Sequence, residues 1–594
     1  MRRGFAYLLA SMLCACFPVA QAADAGKTLQ VLIESAETAL DPAVASDIST
    51  ISINENIFDP MLRYDYLSRP LKLQPNTLSA MPEVSKDGKE YLFRIAPGIR
   101  FTPDPAFRGK ARELTAQDYV YSFMRFYDPA LKSPWLFLFE KKILGDDVLT
   151  RQSTQNTFDY NTPVAGLQAI DRYTLRIRLT AADNNFLFEL AMPAAAAVAR
   201  EVMEAYGNDA GNHPVGTGPF TIRQWQRSSR IVLEANRDFR ETIFRAGADI
   251  RPEDAAIAKA LDGKRLPLVG AIDIKVMEEP QPRVLGFFNR EFDYLEPLPA
   301  PLADMALVEG KLKPALVVQG VTLTMFPILR TFYMWMNMDD PVIGGYSRER
   351  IALRRAIALS YNQTEDLRVL EKGLALAAQS PLPPNVLGYD PAYRSGSTYD
   401  PALAKALLDR FGYRDRDRDG YRETPDGKRL VLTMHTVAST TGRLRDEFWR
   451  RSLDAIGLRV EFKGDKYGEI IKASRLGKVQ MFETNWVADF PDGENFFQLL
   501  YGPNSGRTNY SRFNLPLYNQ IYERSRTMAD SEQRNVLYRD MNRLIAGYAP
   551  WVLRNHPLSA TLSHRWLKNY LRHPVENTAW RYIDLDVRER NASR

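Results

Sequence analysis

The 594-residue sequence predicts an α/β protein built from several cores. Two observations carry this prediction. Short segments with apolar residues at every second position recur along the chain, and between residues 430 and 485 they interleave with segments of helical period. The length, at 45% hydrophobic residues, calls for two to four cores. A charged fraction of 25% and an aromatic fraction of 11% exclude disorder, collagen-like repeats and a coiled-coil rod as the main architecture. Seventy-eight basic against 72 acidic residues leave a net charge of +6 with no basic run, which gives no footing for nucleic acid.

The elements follow in order. Arg2 and Arg3, an apolar run from Phe5 to Val19 and the small residues Ala20 and Ala22 have the layout of a secretory signal over residues 1–22. The run is shorter than the roughly 20 residues that span a bilayer, and Pro18 interrupts it. Cleavage is expected after Ala22, with Ala23 as the second choice. A lipid anchor at Cys16 is the weaker reading, because Cys14 stands where a lipobox carries a small residue. Cys14 and Cys16 are the only cysteines, so the mature chain holds no disulfide, thiol nucleophile or cysteine metal site. Thr28–Glu34 reads as a buried strand, and a helix is expected over 50–66. Ser85-Lys-Asp-Gly88 supplies a turn before the alternating strand Tyr91–Ile95. Thr115 and Asp118 form a capping pattern for a helix to about Phe126. Ile170–Leu179 alternates again. Pro214–Phe220 is a glycine-proline turn entering a strand, and Pro219 stands where a nucleotide-binding helix would begin, so Gly216-Thr-Gly218 is not read as a phosphate loop. Ile231–Leu233 and Ile272–Val276 are strands.

In the second half, Thr331–Asn337 is an aromatic strand, Ser347 opens a helix to Tyr361, and Asp400-Pro401 caps one ending before Gly412. Strand 430–435, helix 443–456, strand 459–462, helix 467–476 and strand 480–485 complete the α/β succession, with a last helix over 531–546 before Pro550.

Several stretches occur together and in one order: Leu40-Asp41-Pro42, Val84–Phe93, Leu114–Arg125, Pro214–Phe220, Leu353–Ala358, Tyr399-Asp-Pro401 with Ala404–Leu408, and Trp486-Val-Ala-Asp489-Phe-Pro-Asp492. In these the chain resembles the family 5 extracellular solute-binding proteins, the dipeptide/oligopeptide-binding group that feeds ABC importers. It departs from the family pattern at Phe101–Phe107 and over 240–268, which carry extra residues. The resemblance implies a type II-like periplasmic-binding-protein fold, in which two lobes close at a hinge and a smaller domain is inserted. It implies lobe I from 27–65, 213–328 and 556–594, the smaller domain from 66–212 and lobe II from 329–555. It also implies a periplasmic monomer, without cofactor, that hands a small solute, a peptide foremost, to membrane permease subunits.

A free peptide needs a carboxylate for its ammonium and a cation for its carboxylate. The resemblance places the first at Asp489, with helix capping as the plain alternative. Trp486 is expected to wall a side-chain pocket or to pack in the core, and Trp135, after Ser133-Pro134, to face the ligand or to pack. Ile53 falls where the family presents an extended edge to its ligand. No cation is assignable. Asp415, Asp417, Asp419 and Gly420, with Asp426 twelfth, copy much of a calcium loop, but the missing terminal Glu favours a solvated turn. Five scattered histidines and the absence of Gly-x-Ser-x-Gly give no catalytic spacing. Other readings are the same fold around a nickel chelate, a sugar oligomer or an opine, an exported hydrolase, or a chaperone or sensory partner.

Overall fold

The computed structural model describes residues 23–593, so the signal segment, its cleavage site and both cysteines lie outside the described residues. The elements that position the site are, in chain order, β1 (Asp24–Ile33), α1 (Ile48–Ile57), β2 (Glu90–Arg94), α2 (Ala116–Met124), β3 (Thr174–Arg178), β4 (Phe220–Gln226), β5 (Arg230–Ala235), β6 (Val269–Val276), β7 (Val321–Pro327) and β8 (Arg330–Met336). They continue with α3 (Arg348–Ser360), β9 (Val431–Val437), α4 (Thr440–Asp454), β10 (Arg459–Asp465), β11 (Met481–Val487), α5 (Glu494–Phe497), α6 (Glu532–Tyr548) and β12 (Trp551–His564).

Three sheets carry the architecture. β1 runs parallel to β6, which pairs antiparallel with β5 and through it with β4. The second sheet, antiparallel throughout, holds β2 and β3 at its centre. The third has eight strands, with β9, β10 and β11 parallel to one another and β8 antiparallel to both β11 and β12. A strand buried on both faces reads as an unbroken apolar run rather than an alternating one. The run Phe-Tyr-Met-Trp-Met in β8 has this cause: Tyr333 and Trp335 enter one core while Met334 and Met336 enter the core on the opposite face.

Local chemistry fixes several ends. The Asp118 carboxylate accepts the Thr115 amide at 2.7 Å and pairs with Arg112 at 2.6 Å, so α2 starts where the capping pattern placed it. Asp400 accepts the Leu403 amide at 2.8 Å at the head of the helix Pro401–Arg410. Gly216 and Gly218 serve close approach: a Cβ on Gly216 would lie 2.0 Å from the Ile57 carbonyl oxygen, and one on Gly218 2.7 Å from that of Asn56. The two glycines let the turn press on the end of α1. The helix expected over 50–66 is shorter than the pattern suggested; it stops at Ile57, and Leu62–Tyr64 is a strand.

The core beneath β1–β6 runs without a break into that of the second sheet and takes in Trp566–Leu585. β12 escaped the sequence reading. Fourteen residues long, it pairs with β8 through Trp551–Asn555 and with β7 through Leu558–His564. No helix among the described residues is long and apolar enough to cross a membrane.

Candidate functional site

In an open α/β sheet, ligands bind outside the carboxyl ends of the parallel strands. In the eight-stranded sheet these ends are Val437 of β9 and Val487 of β11, and antiparallel β8 brings its first residue, Arg330, to the same edge opposite Val487. Trp486 lies one rung inside, opposite Thr331. The chain then continues along Leu329, whose carbonyl accepts the Ala488 amide at 2.8 Å, and reaches Asp489.

Asn495, on the short helix α5, binds this turn together. Its carboxamide oxygen accepts the Trp486 indole N–H at 2.7 Å and the Asp489 amide at 3.2 Å, and its Nδ2 donates to Asp489 Oδ2 at 3.0 Å. Asn495 is 1% exposed. Asp489 is half-buried, and no cation contacts it among the described residues. Burial raises its pKa, and the Asn495 hydrogen bond lowers it in part. Asp492, three residues on, contrasts with it. Asp492 is buried, receives Arg534 at 2.6 and 2.8 Å and the Tyr538 hydroxyl at 3.0 Å, and accepts the Glu494 amide at 2.8 Å. The capping and bracing work therefore belongs to Asp492. Among the described residues Asp489 braces only Asn495.

Residues 184 and 185 reach Glu494 of the same helix and the end of the helix Pro516–Arg526. Asn185 Nδ2 donates to Glu494 at 3.4 Å, and Asn184 Nδ2 to the Arg526 carbonyl at 3.0 Å. Behind them Lys142 pairs with Asp183 and Glu189, and burial pushes the Glu189 carboxyl up to about 8.

The other expected residues fare differently. The Trp135 indole donates to the Ala45 carbonyl at 2.8 Å and packs against the core shared by the first two sheets; no contact joins it to Trp486 or Asp489 among the described residues. Ile53 corrects the expectation of an extended edge: it lies within α1, at 0% exposure, because the 48–57 segment folds as a helix against that core. Asp415, Asp417 and Asp419 do cluster, but the fourth member is Glu423 rather than Asp426. Asp426 turns away to Lys428 at 2.7 Å and to the Thr424 hydroxyl at 2.6 Å. Asp415 and Asp417 accept backbone amides within the turn, and Asp419 pairs with Arg459.

Comparisons with known proteins agree with one another. The family model for bacterial extracellular solute-binding proteins, family 5, matches residues 72–508. Di/tripeptide-binding protein 2 of Pseudomonas aeruginosa is 25% identical over 94% of this chain and 95% of its own. The dipeptide-binding protein of Escherichia coli is 23% identical over 89% and 92%. Among solved structures, HbpA2 of Haemophilus parasuis superposes with a TM-score of 0.73 at 18% identity, covering 94% of this chain and all of that one. The periplasmic binding protein DppA of Helicobacter pylori, in complex with the peptide STSA, superposes with a TM-score of 0.68 at 20% identity over 94% and 98%. The fold is thus that of the periplasmic binding proteins, and the chain belongs to the bacterial extracellular solute-binding proteins, family 5.

Proposed function

We propose that this protein is the periplasmic solute-binding component of an ABC importer and that it captures peptides with a free amino terminus. One observation carries the reading most: Asp489, half-buried at the carboxyl edge of the eight-stranded sheet, is held in place by Asn495 with no cation against it among the described residues. An ammonium brought there as the lobes close supplies the missing charge, and Trp486 offers a wall for the first side chain. The match over 94% of the chain to a di/tripeptide-binding protein supports the ligand class. Lobe I comprises 27–65, 213–328 and 556–594, with 66–212 inserted, and lobe II comprises 329–555. The crossings at 328–329 and within β12 support this division. The protein works as a monomer, turns nothing over, and delivers its ligand to permease subunits.

The test is calorimetry with a free tripeptide and its N-acetylated form. Wild type should prefer the free peptide, and Asp489→Asn should bind it about 10- to 150-fold more weakly, since charge-assisted hydrogen bonds contribute about 1.5–3 kcal/mol. Equal binding of both peptides by the wild type would refute the ammonium anchor.

A further inference from the structure

Buried guanidinium groups in lobe II have partners. Arg554, fully buried, pairs with Asp366, Glu371 and Glu483. Arg534 pairs with Asp492, and Arg354 donates to the carbonyls of Ile343, Gly345 and Tyr548. Arg330 breaks the pattern. No hydrogen bond, ion pair or ring contact engages its guanidinium among the described residues, and its Nε is buried without an acceptor. Burial alone acts on it, lowering its pKa, with no carboxylate of the protein opposing that effect. A largely desolvated cation without a counter-charge is costly to keep.

Its position gives the cost a purpose. Arg330 is the first residue of β8, opposite Val487 and next to the Thr331–Trp486 rung, two residues in the paired strand from Asp489. The residue is half-buried rather than sealed, so an anion arriving from solvent can reach it. The edge of one sheet thus carries an acid without a cation and a cation without an acid. The two do not neutralise each other: neither is a partner of the other. A zwitterionic ligand lying along the edge completes both.

We propose that Arg330 is the cation that receives a carboxylate of the bound peptide, a deepening that rests on the peptide-binding reading above. The guanidinium fork suits a carboxylate bidentately, and lobe closure strengthens the pair by excluding water. Two sources offer this chemistry, the terminal carboxylate of the peptide and an acidic side chain.

The full chain is titrated calorimetrically with trialanine, trialanine amide, N-acetyltrialanine and Ala-Asp-Ala amide. Wild type should bind trialanine roughly 10- to 150-fold more tightly than the amide. Arg330→Gln should bind both alike while still discriminating against the N-acetyl peptide, and Arg330→Lys should keep part of the preference. If instead Ala-Asp-Ala amide binds wild type as well as trialanine does, and Arg330→Gln abolishes that binding, the side chain is the source. Undiminished preference for the free carboxylate in Arg330→Gln overturns the proposal and leaves peptide binding standing. Failure of wild type to bind any of the four removes the peptide reading and this inference with it. A readout independent of ligand is thermal unfolding. Ligand-free Arg330→Gln should melt no lower than wild type, because an uncompensated buried charge has been removed; a clear drop would mean that Arg330 serves the fold, and would also overturn the proposal.

Discussion

Removing the carboxamide of Asn495 should cost this protein twice, once in stability and once in affinity. In Asn495→Ala the Trp486 indole N–H and the Asp489 amide lose their shared acceptor, at 2.7 and 3.2 Å, and Asp489 Oδ2 loses its donor at 3.0 Å. An orphaned buried donor costs about 1–3 kcal/mol. Trp486 and Asp489 are half-buried, so water replaces part of what is lost, and about 2–3 kcal/mol in total is expected. The Asp489 pKa, already raised, should rise further, because the Asn495 hydrogen bond is what lowers it. Binding must then re-order two released side chains at about 0.5–1.5 kcal/mol each, which predicts a loss of roughly 5- to 150-fold in peptide affinity. Urea unfolding without ligand reads the first quantity and calorimetry with a tripeptide the second. If Asn495→Ala unfolds more easily but binds peptide like wild type, the turn is a fold brace only, and the assignment of Trp486 and Asp489 to the ligand fails.

Two further predictions concern the scaffold. His556 is 1% exposed, meets the Thr331 hydroxyl at 3.0 Å, and is pulled down by burial to about 4. A base with a depressed folded pKa stabilises fully above its unfolded value of about 6.5 and loses that contribution as pH falls toward 4, so wild type should lose about 2 kcal/mol at this site between pH 7 and pH 5. In His556→Gln the difference from wild type should shift by that amount in favour of the variant over the same range, read by urea midpoints at each pH; a pH-independent difference would contradict it. Gly216→Ala places a Cβ 2.0 Å from the Ile57 carbonyl oxygen and should lower stability by at least the ~1–3 kcal/mol of an overpacked core, and a wild-type melting temperature would contradict the close-approach account.

Much of the fold was legible because the signals are local. Asp400, Ser347 and Thr115 announce helix starts by accepting or fixing amides a few residues away, and alternation marks β3 and β6. β12 was missed because it is buried on both faces yet carries Arg554, Asn555, His556 and Pro557 in its middle; Arg554 and His556 meet residues far off in sequence, Asp366 and Thr331. The extended edge at Ile53 came from the family resemblance alone; the residues themselves read as helix, and α1 forms there. At the candidate site, the Trp486-x-x-Asp489 motif drew attention to the turn that Asn495 binds together. Asn495 and Arg330 carry no motif. Six residues part Asn495 from Asp489, within reach of a reading for side-chain clamps, whereas the isolation of Arg330 is a property of space and had no sequence signal.

The continuity of β12 bears on how the molecule can come apart. One half of the strand is laced to β8 and the other to β7, so neither partner strand keeps its full ladder if the other's end of β12 frays. Heat that loosens β8 strips Trp551–Asn555 of their backbone partners and frays the anchorage of Leu558–His564 at the same stroke. The two halves are thereby thermodynamically coupled, and a calorimetric scan of the ligand-free chain should record one endotherm.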